Sequence, residues 1–111
     1  MEAVTQSKPT SDPAPVTIAV DAEGYLLDAG QWSPEVAQAI AAEVGVALTQ
    51  EHWKVLGFCR EDFARQGQSP NVRRIGLLSG VPMKDLYRLF PKGPGKLAAR
   101  IAGLPKPKSC L

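Results

Sequence analysis

Glycine and proline cut the apolar pattern of this 111-residue chain into short pieces, and each cut fixes where a helix can end. Ser33 and Pro34 read as an N-cap and first helical residue, after which Val36, Ala37, Ile40, Ala41 and Val44 form one stripe that Gly45 closes. Trp32, just before the cap, is placed to pack on that helix's first turn. Thr49 caps the next helix, where Val55, Leu56, Cys59 and Phe63 share one arc with His52 inside it and Trp53 and Phe58 flanking. So much apolar girth predicts the central helix. Asn71 caps a third, with Val72, Ile75 and Leu78 inward and Arg73 and Arg74 outward; Ser79 and Gly80 turn the chain, and Pro82 opens a fourth with Leu86, Leu89 and Phe90 as its apolar set. The run Pro91-Lys92-Gly93-Pro94-Gly95 is a corner, and Leu97, Ala98 and Ile101 then mark a fifth helix. The predicted helices span about 34–44, 50–66, 71–78, 82–90 and 95–102.

Residues 1–15 hold three prolines and no periodicity, which predicts a disordered leader. Val16, Ile18 and Val20 alternate with smaller residues, Asp21 to Gly24 have turn chemistry, and Tyr25 to Leu27 can return. The expected fold is therefore α+β and mostly helical. A β-hairpin over 16–27 packs on a compact bundle of about five helices in one domain, 16–103, with a projecting, flexible C-terminal arm over 104–111.

The chemistry collects in that arm. Gly103 supplies a left-handed C′ residue and Leu104 the apolar contact of a Schellman motif; Pro105 and Pro107 bias the chain to an extended course. Both prolines are expected to bury little. Cys110 stands at the tip, one residue from the last, where a thiol has no core to fill and its reactivity is the property to use. Arg100, Lys106 and Lys108 favour its thiolate, and a carboxylate at the chain end opposes them. Cys59, on the buried stripe, is expected to be inert. His52 is read either as a packed helix-end residue or as a proton donor near a docked arm.

The terminal run AGLPKPKSCL, with LYRLFPKGPGK before it and EGYL, QW and EHW further upstream, resembles the DsrC/TusE/DsvC family of sulfur-relay proteins over roughly residues 16–111. The resemblance implies that Cys110 carries sulfur as a persulfide. Family forms that work with dissimilatory sulfite reductase have a second arm cysteine eleven residues earlier, where this chain has Ala99. The single-cysteine TusE type, which feeds tRNA 2-thiouridine synthesis, is the nearer match. The implied partners are an upstream persulfide donor and a downstream acceptor, either a tRNA thiolation enzyme or a dissimilatory-type sulfite reductase. The protein is then a carrier more than a stand-alone enzyme.

Charge bears on docking. Residues 1–62 sum to −7 and residues 63–111 to +9, which suits an acidic partner unless the two halves fold against each other and neutralise. Arg73, Arg74, Arg88, Lys92, Arg100, Lys106 and Lys108 are the candidate docking residues. A rival reading takes the helices at 71–78 and 82–90 as a helix-turn-helix for nucleic acid, although Met83, Lys84 and Asp85 are poor readers of base edges. Two cysteines and one histidine offer neither a disulfide framework nor a metal site, so no cofactor is expected. No run approaches 18 apolar residues and no signal peptide opens the chain, which together predict a cytoplasmic protein.

Overall fold

Among the described residues five α-helices follow one another: α1 (Pro34–Glu43), α2 (Gln50–Gln66), α3 (Val72–Leu78), α4 (Met83–Leu89) and α5 (Pro94–Ile101). The computed structural model describes residues 18–107; the predicted leader, Lys108 and Cys110 lie outside them. Local chemistry sets the helix ends as the sequence suggests. Ser33 Oγ accepts the Val36 amide at 3.2 Å, and Asn71 Oδ1 accepts the Arg74 amide at 2.8 Å. At the end of α5 the Leu104 amide donates to Ala99 O (2.9 Å) and the Gly103 amide to Arg100 O (3.2 Å), the two bonds of a Schellman motif.

α2 and α5 lie at the centre. Val55, Leu56 and Cys59 from α2 join Ala98, Ile101 and Leu104 at the end of the chain's last helix, with Ile40, Ile75, Leu86 and Phe90 around them, all buried. Leu78 departs from the expected inward set. It is 55% exposed because the seven-residue α3 ends there, and Ile75 and Val72 already face the core.

The expected β-hairpin is absent: among the described residues the fold is helical, and 18–27 keeps a single isolated antiparallel bridge between Val20 and Leu26. Side chains end the ladder on both sides. Asp21 Oδ1 accepts the amides of Glu23 (2.9 Å) and Tyr25 (3.0 Å), which closes the turn early. Asp28 Oδ1 takes the Gly30 amide at 2.9 Å and starts a 3-10 turn over Ala29–Gln31 where a second strand would have to continue. The alternation of small and branched residues does not mark a buried face either: Val20 is exposed, and the side chains that reach the core are the consecutive Tyr25 and Leu26.

The charge asymmetry is partly consumed inside the fold. Arg74 pairs with Asp62, Arg88 with Glu51 and Lys106 with Glu23, each joining the basic half to the acidic half.

Candidate functional site

The root of the arm is fastened to the body by side chains from outside α5. Helix α5 ends with carbonyls that have no partner within the helix, and side chains from elsewhere meet them. Trp32 Nε1 donates to Ile101 O at 2.8 Å, and Arg60 Nη1 from α2 donates to Ala102 O at 2.7 Å. The Arg60 guanidinium also lies 4.2 Å from the centre of the Trp32 ring, so the two clamp residues hold each other as well as the helix end. A cation at a helix C-terminus also opposes the negative end of the helix dipole. Gly103 has φ +74°, and a side chain there would collide with the Trp32 ring. Tryptophan therefore seals the turn from which the arm departs.

Beyond the turn the chain stays on the body. Leu104 is buried, Ser69 Oγ donates to Pro105 O at 2.6 Å, Lys106 Nζ meets Glu23 Oε2 at 2.9 Å, and Pro107 is buried. The expectation that both prolines bury little holds for Pro105, which is exposed, and is corrected for Pro107. The cause is the break at Ser69 and Pro70, both buried, which brings the loop after α2 against the arm.

Beside this root lies an open groove of about 670 Å³ that gathers Lys92, Lys96 and Arg100 with Glu23, Glu43 and Tyr25. Arg100 is committed there. Its Nε donates to Gly24 O at 3.2 Å, and its guanidinium occupies the space a side chain at residue 24 would need. Two predicted docking residues, Lys92 and Arg100, are thus brought together, and Lys106 joins them through Glu23. Arg73 is exposed, with no ion pair among the described residues. Arg74 has a different fate from the outward one expected. Its Nε and Nη2 grip the two oxygens of Asp62 at 2.8 and 2.9 Å. That carboxylate has no accessible surface, and the Arg74 bonds hold its pKa below the usual carboxylate value against the opposing effect of burial. Arg88 spans Glu51 at 3.0 Å and Asp85 at 3.7 Å.

The two remaining chemical candidates are structural. Cys59 is 1% exposed, and burial, aided by the Asp62 charge, pushes its thiol up to about 12. His52 is buried with both ring nitrogens engaged. Nδ1 accepts the Thr49 amide at 3.0 Å, so Nε2 carries the proton it donates to Leu89 O at 2.8 Å. The imidazole also stands edge-on to Phe90, with 5.0 Å between centres. It caps α2 and ties it to α4. Cys110, the predicted sulfur-bearing residue, and Lys108 lie outside the described residues.

Sequence reasoning missed Arg60 and Ser69 altogether and gave Trp32 only a local packing role. A basic residue flanking the apolar arc of the central helix, one turn after Leu56, was the available signal for Arg60. Nothing in the local sequence announces Ser69.

The body is small and helical, and it grips the root of its own C-terminal segment. A family described as "DsrC like protein" matches residues 14–111. Sulfurtransferase TusE of Salmonella typhimurium is 46% identical over 102 residues, covering 85% of this chain and 93% of that protein. The solution structure of Allochromatium vinosum DsrC superposes with a TM-score of 0.73 at 42% identity, covering 85% of this chain and 90% of that one. The oxidised gamma subunit of the dissimilatory sulfite reductase (DsrC) from Archaeoglobus fulgidus gives 0.73 at 37% identity, covering 85% and 92%. The chain belongs to the DsrC family, whose DsrC and TusE members act as sulfur carriers in relays and not as stand-alone catalysts. Among the described residues no helix is long and apolar enough to cross a membrane.

Proposed function

We propose that this protein carries one sulfane sulfur at a time on Cys110, taking it from a donor protein's persulfide and passing it to an acceptor of the tRNA-thiolation type. The Cys110 thiolate attacks the outer sulfur of the donor's R–S–SH; the donor's S–S bond breaks, a Cys110 persulfide forms, and the donor leaves as a thiolate. Sulfur moves with no net oxidation, so no further reactant is needed. Delivery repeats the exchange with an acceptor thiol as the attacking group. The observation that carries the reading is the single-thiol arm. Ala99, where the sulfite-reductase-linked forms resembled by this chain have a second cysteine, is here a buried helical residue, 3% exposed. With that position filled by a packed methyl group, the arm has one sulfur-bearing residue to offer. The similarity to proteins named sulfurtransferase TusE supports the same subtype.

The helix-turn-helix alternative gains nothing from the geometry. On α4 the exposed side chains include Met83 and Tyr87, and Arg88 is engaged by Glu51 and Asp85.

Incubation with a purified donor protein carrying a cysteine persulfide should add one sulfur, about 32 Da, to the intact protein. Peptide mapping should place it on residues 108–111. The Cys110→Ser protein should fold and accept none, while Cys59→Ser should still accept it. Sulfur mapped to Cys59, or full transfer by Cys110→Ser, would sink the reading.

A further inference from the structure

Four large apolar side chains on α3 and α4 stand in water: Leu77 (76% exposed), Leu78 (55%), Met83 (38%) and Tyr87 (53%). The two helices that carry them touch at Gly76 and Met83, while helical period turns Leu78 to the far flank of α3. A methyl group built on Gly76 would lie 3.3 Å from both the Cβ and the amide nitrogen of Met83, so the bare glycine lets α3 lie against the start of α4. Met83 and Tyr87 follow one turn apart on the same face, and Leu77 follows Gly76 on the outward side of α3. Single exposed leucines are ordinary; Leu77, Met83 and Tyr87 exposed on two touching helices are the kind of group that marks an interaction site.

The rim is basic. Lys54 Nζ lies 3.1 Å from where a Cβ on Gly80 would stand, which puts it over the α3–α4 turn. Arg73 and Lys84 are exposed on the two helices, and Lys92 lines a shallow cleft of about 260 Å³ with Tyr87. Arg73, Lys84 and Lys92 have no ion pair among the described residues, whereas Asp85, the acidic group on α4, is turned to Arg88.

We propose that this face docks an acidic protein, a partner that exchanges sulfur with the arm. Its apolar side chains would cover Leu77, Met83 and Tyr87, and its carboxylates would meet Arg73, Lys84 and Lys92. The proposal rests on the relay reading for the partner's role and on the patch alone for the place. Charge selects the occupant. A second copy packed about a two-fold axis would set the same cationic rim against itself. A nucleic-acid backbone would satisfy the cations and leave Leu77 against phosphate.

The test is a binding titration in the Cys110→Ser background, so that sulfur chemistry plays no part. The probes are the purified persulfide donor and the purified acceptor enzyme. Leu77→Ser/Tyr87→Ser and Lys84→Glu alter exposed positions, and their melting curves should match the parent. Each should raise Kd at least tenfold for one of the two probes, and the Lys84 effect should shrink at high salt. Affinities unchanged within twofold for both probes would overturn the proposal. So would a dimer in sedimentation that Leu77→Ser/Tyr87→Ser abolishes, or tRNA binding lost through the same substitutions. A Cys110 that takes no sulfur leaves these titrations readable and bears on the carrier reading alone.

Discussion

The surroundings of Cys59 deny it the chemistry proposed for Cys110. Cys59 sits in the middle of α2 at 1% exposure, and ionising it would place a charge among Leu56, Val55 and Ile101 with Asp62 nearby. A bulky maleimide should therefore label Cys110 in the first fast phase of the folded protein and Cys59 only as the protein unfolds. The raised pKa has a second consequence. Between the ordinary thiol value of 9.0 and the folded value of about 12, the unfolded chain releases the Cys59 proton and the folded chain keeps it. The contribution is constant below 9.0, and stability falls as pH rises through that window. Urea unfolding of the parent and of Cys59→Ala from pH 8 to 11 should show the parent losing stability more steeply, by a slope approaching one proton. Parallel curves would mean that Cys59 ionises freely in the fold. This part of the reading was legible in the sequence, because helical period alone puts residue 59 on the arc of residues 55, 56 and 63. The fate of Arg74 was not: its grip on Asp62 depends on how α3 lies against α2, twelve residues away, and no local pattern encodes that.

Elements were read well where the chain punctuates itself. Ser33 with Pro34, Asn71, and Gly103 with Leu104 each act through bonds to the backbone within a few residues, so their signals are local and the helix ends fell where they indicated. The hairpin failed for the complementary reason. Three-residue alternation is common to strands and to any extended segment with one buried side, and Asp28 redirected the chain before a ladder could grow. The clamp on α5 was invisible because it joins residues 69 and 42 positions apart. Its importance can be tested at the level of that element. Gly103→Ala must hold an alanine at φ +74° against the Trp32 ring, and should cost at least about 2 kcal/mol in urea unfolding. Arg60→Met keeps the packing stem but leaves the Ala102 carbonyl and the Trp32 face without their cation, for a loss of about 1–2 kcal/mol. Amide exchange at Gly103 and Leu104 should accelerate in Arg60→Met before exchange in α2 does, since the last turn of α5 would open alone. Uniform acceleration across all helices would show that Arg60 supports the core at large and has no special hold on the arm's root.

At the scale of the whole molecule, the −7 and +9 halves meet across the fold through Arg74–Asp62, Arg88–Glu51 and Lys106–Glu23. The last of these, with Ser69 and Pro105, keeps the arm on the body as far as the buried Pro107. Oxidation then has a restricted set of outcomes. Closing a disulfide within one chain would require Cys110 to find a second thiol. Ala99 offers none, and Cys59 is enclosed by the core and held in its protonated form by burial. Bringing Cys59 to the surface would mean unpacking α2 from α5, the two helices at the centre of the fold. The remaining route joins the Cys110 thiols of two molecules and needs no unpacking of α2 from α5. Treatment with diamide, which takes up the two protons and two electrons released, should give a covalent dimer of twice the monomer mass less two hydrogens on non-reducing mass analysis. Its yield should rise with protein concentration, vanish in Cys110→Ser and persist in Cys59→Ser. A monomer lighter by two hydrogens, with Cys59 linked to Cys110, would show that α2 and α5 part readily enough to expose the buried thiol, and the separation of roles between the two cysteines would fail with it.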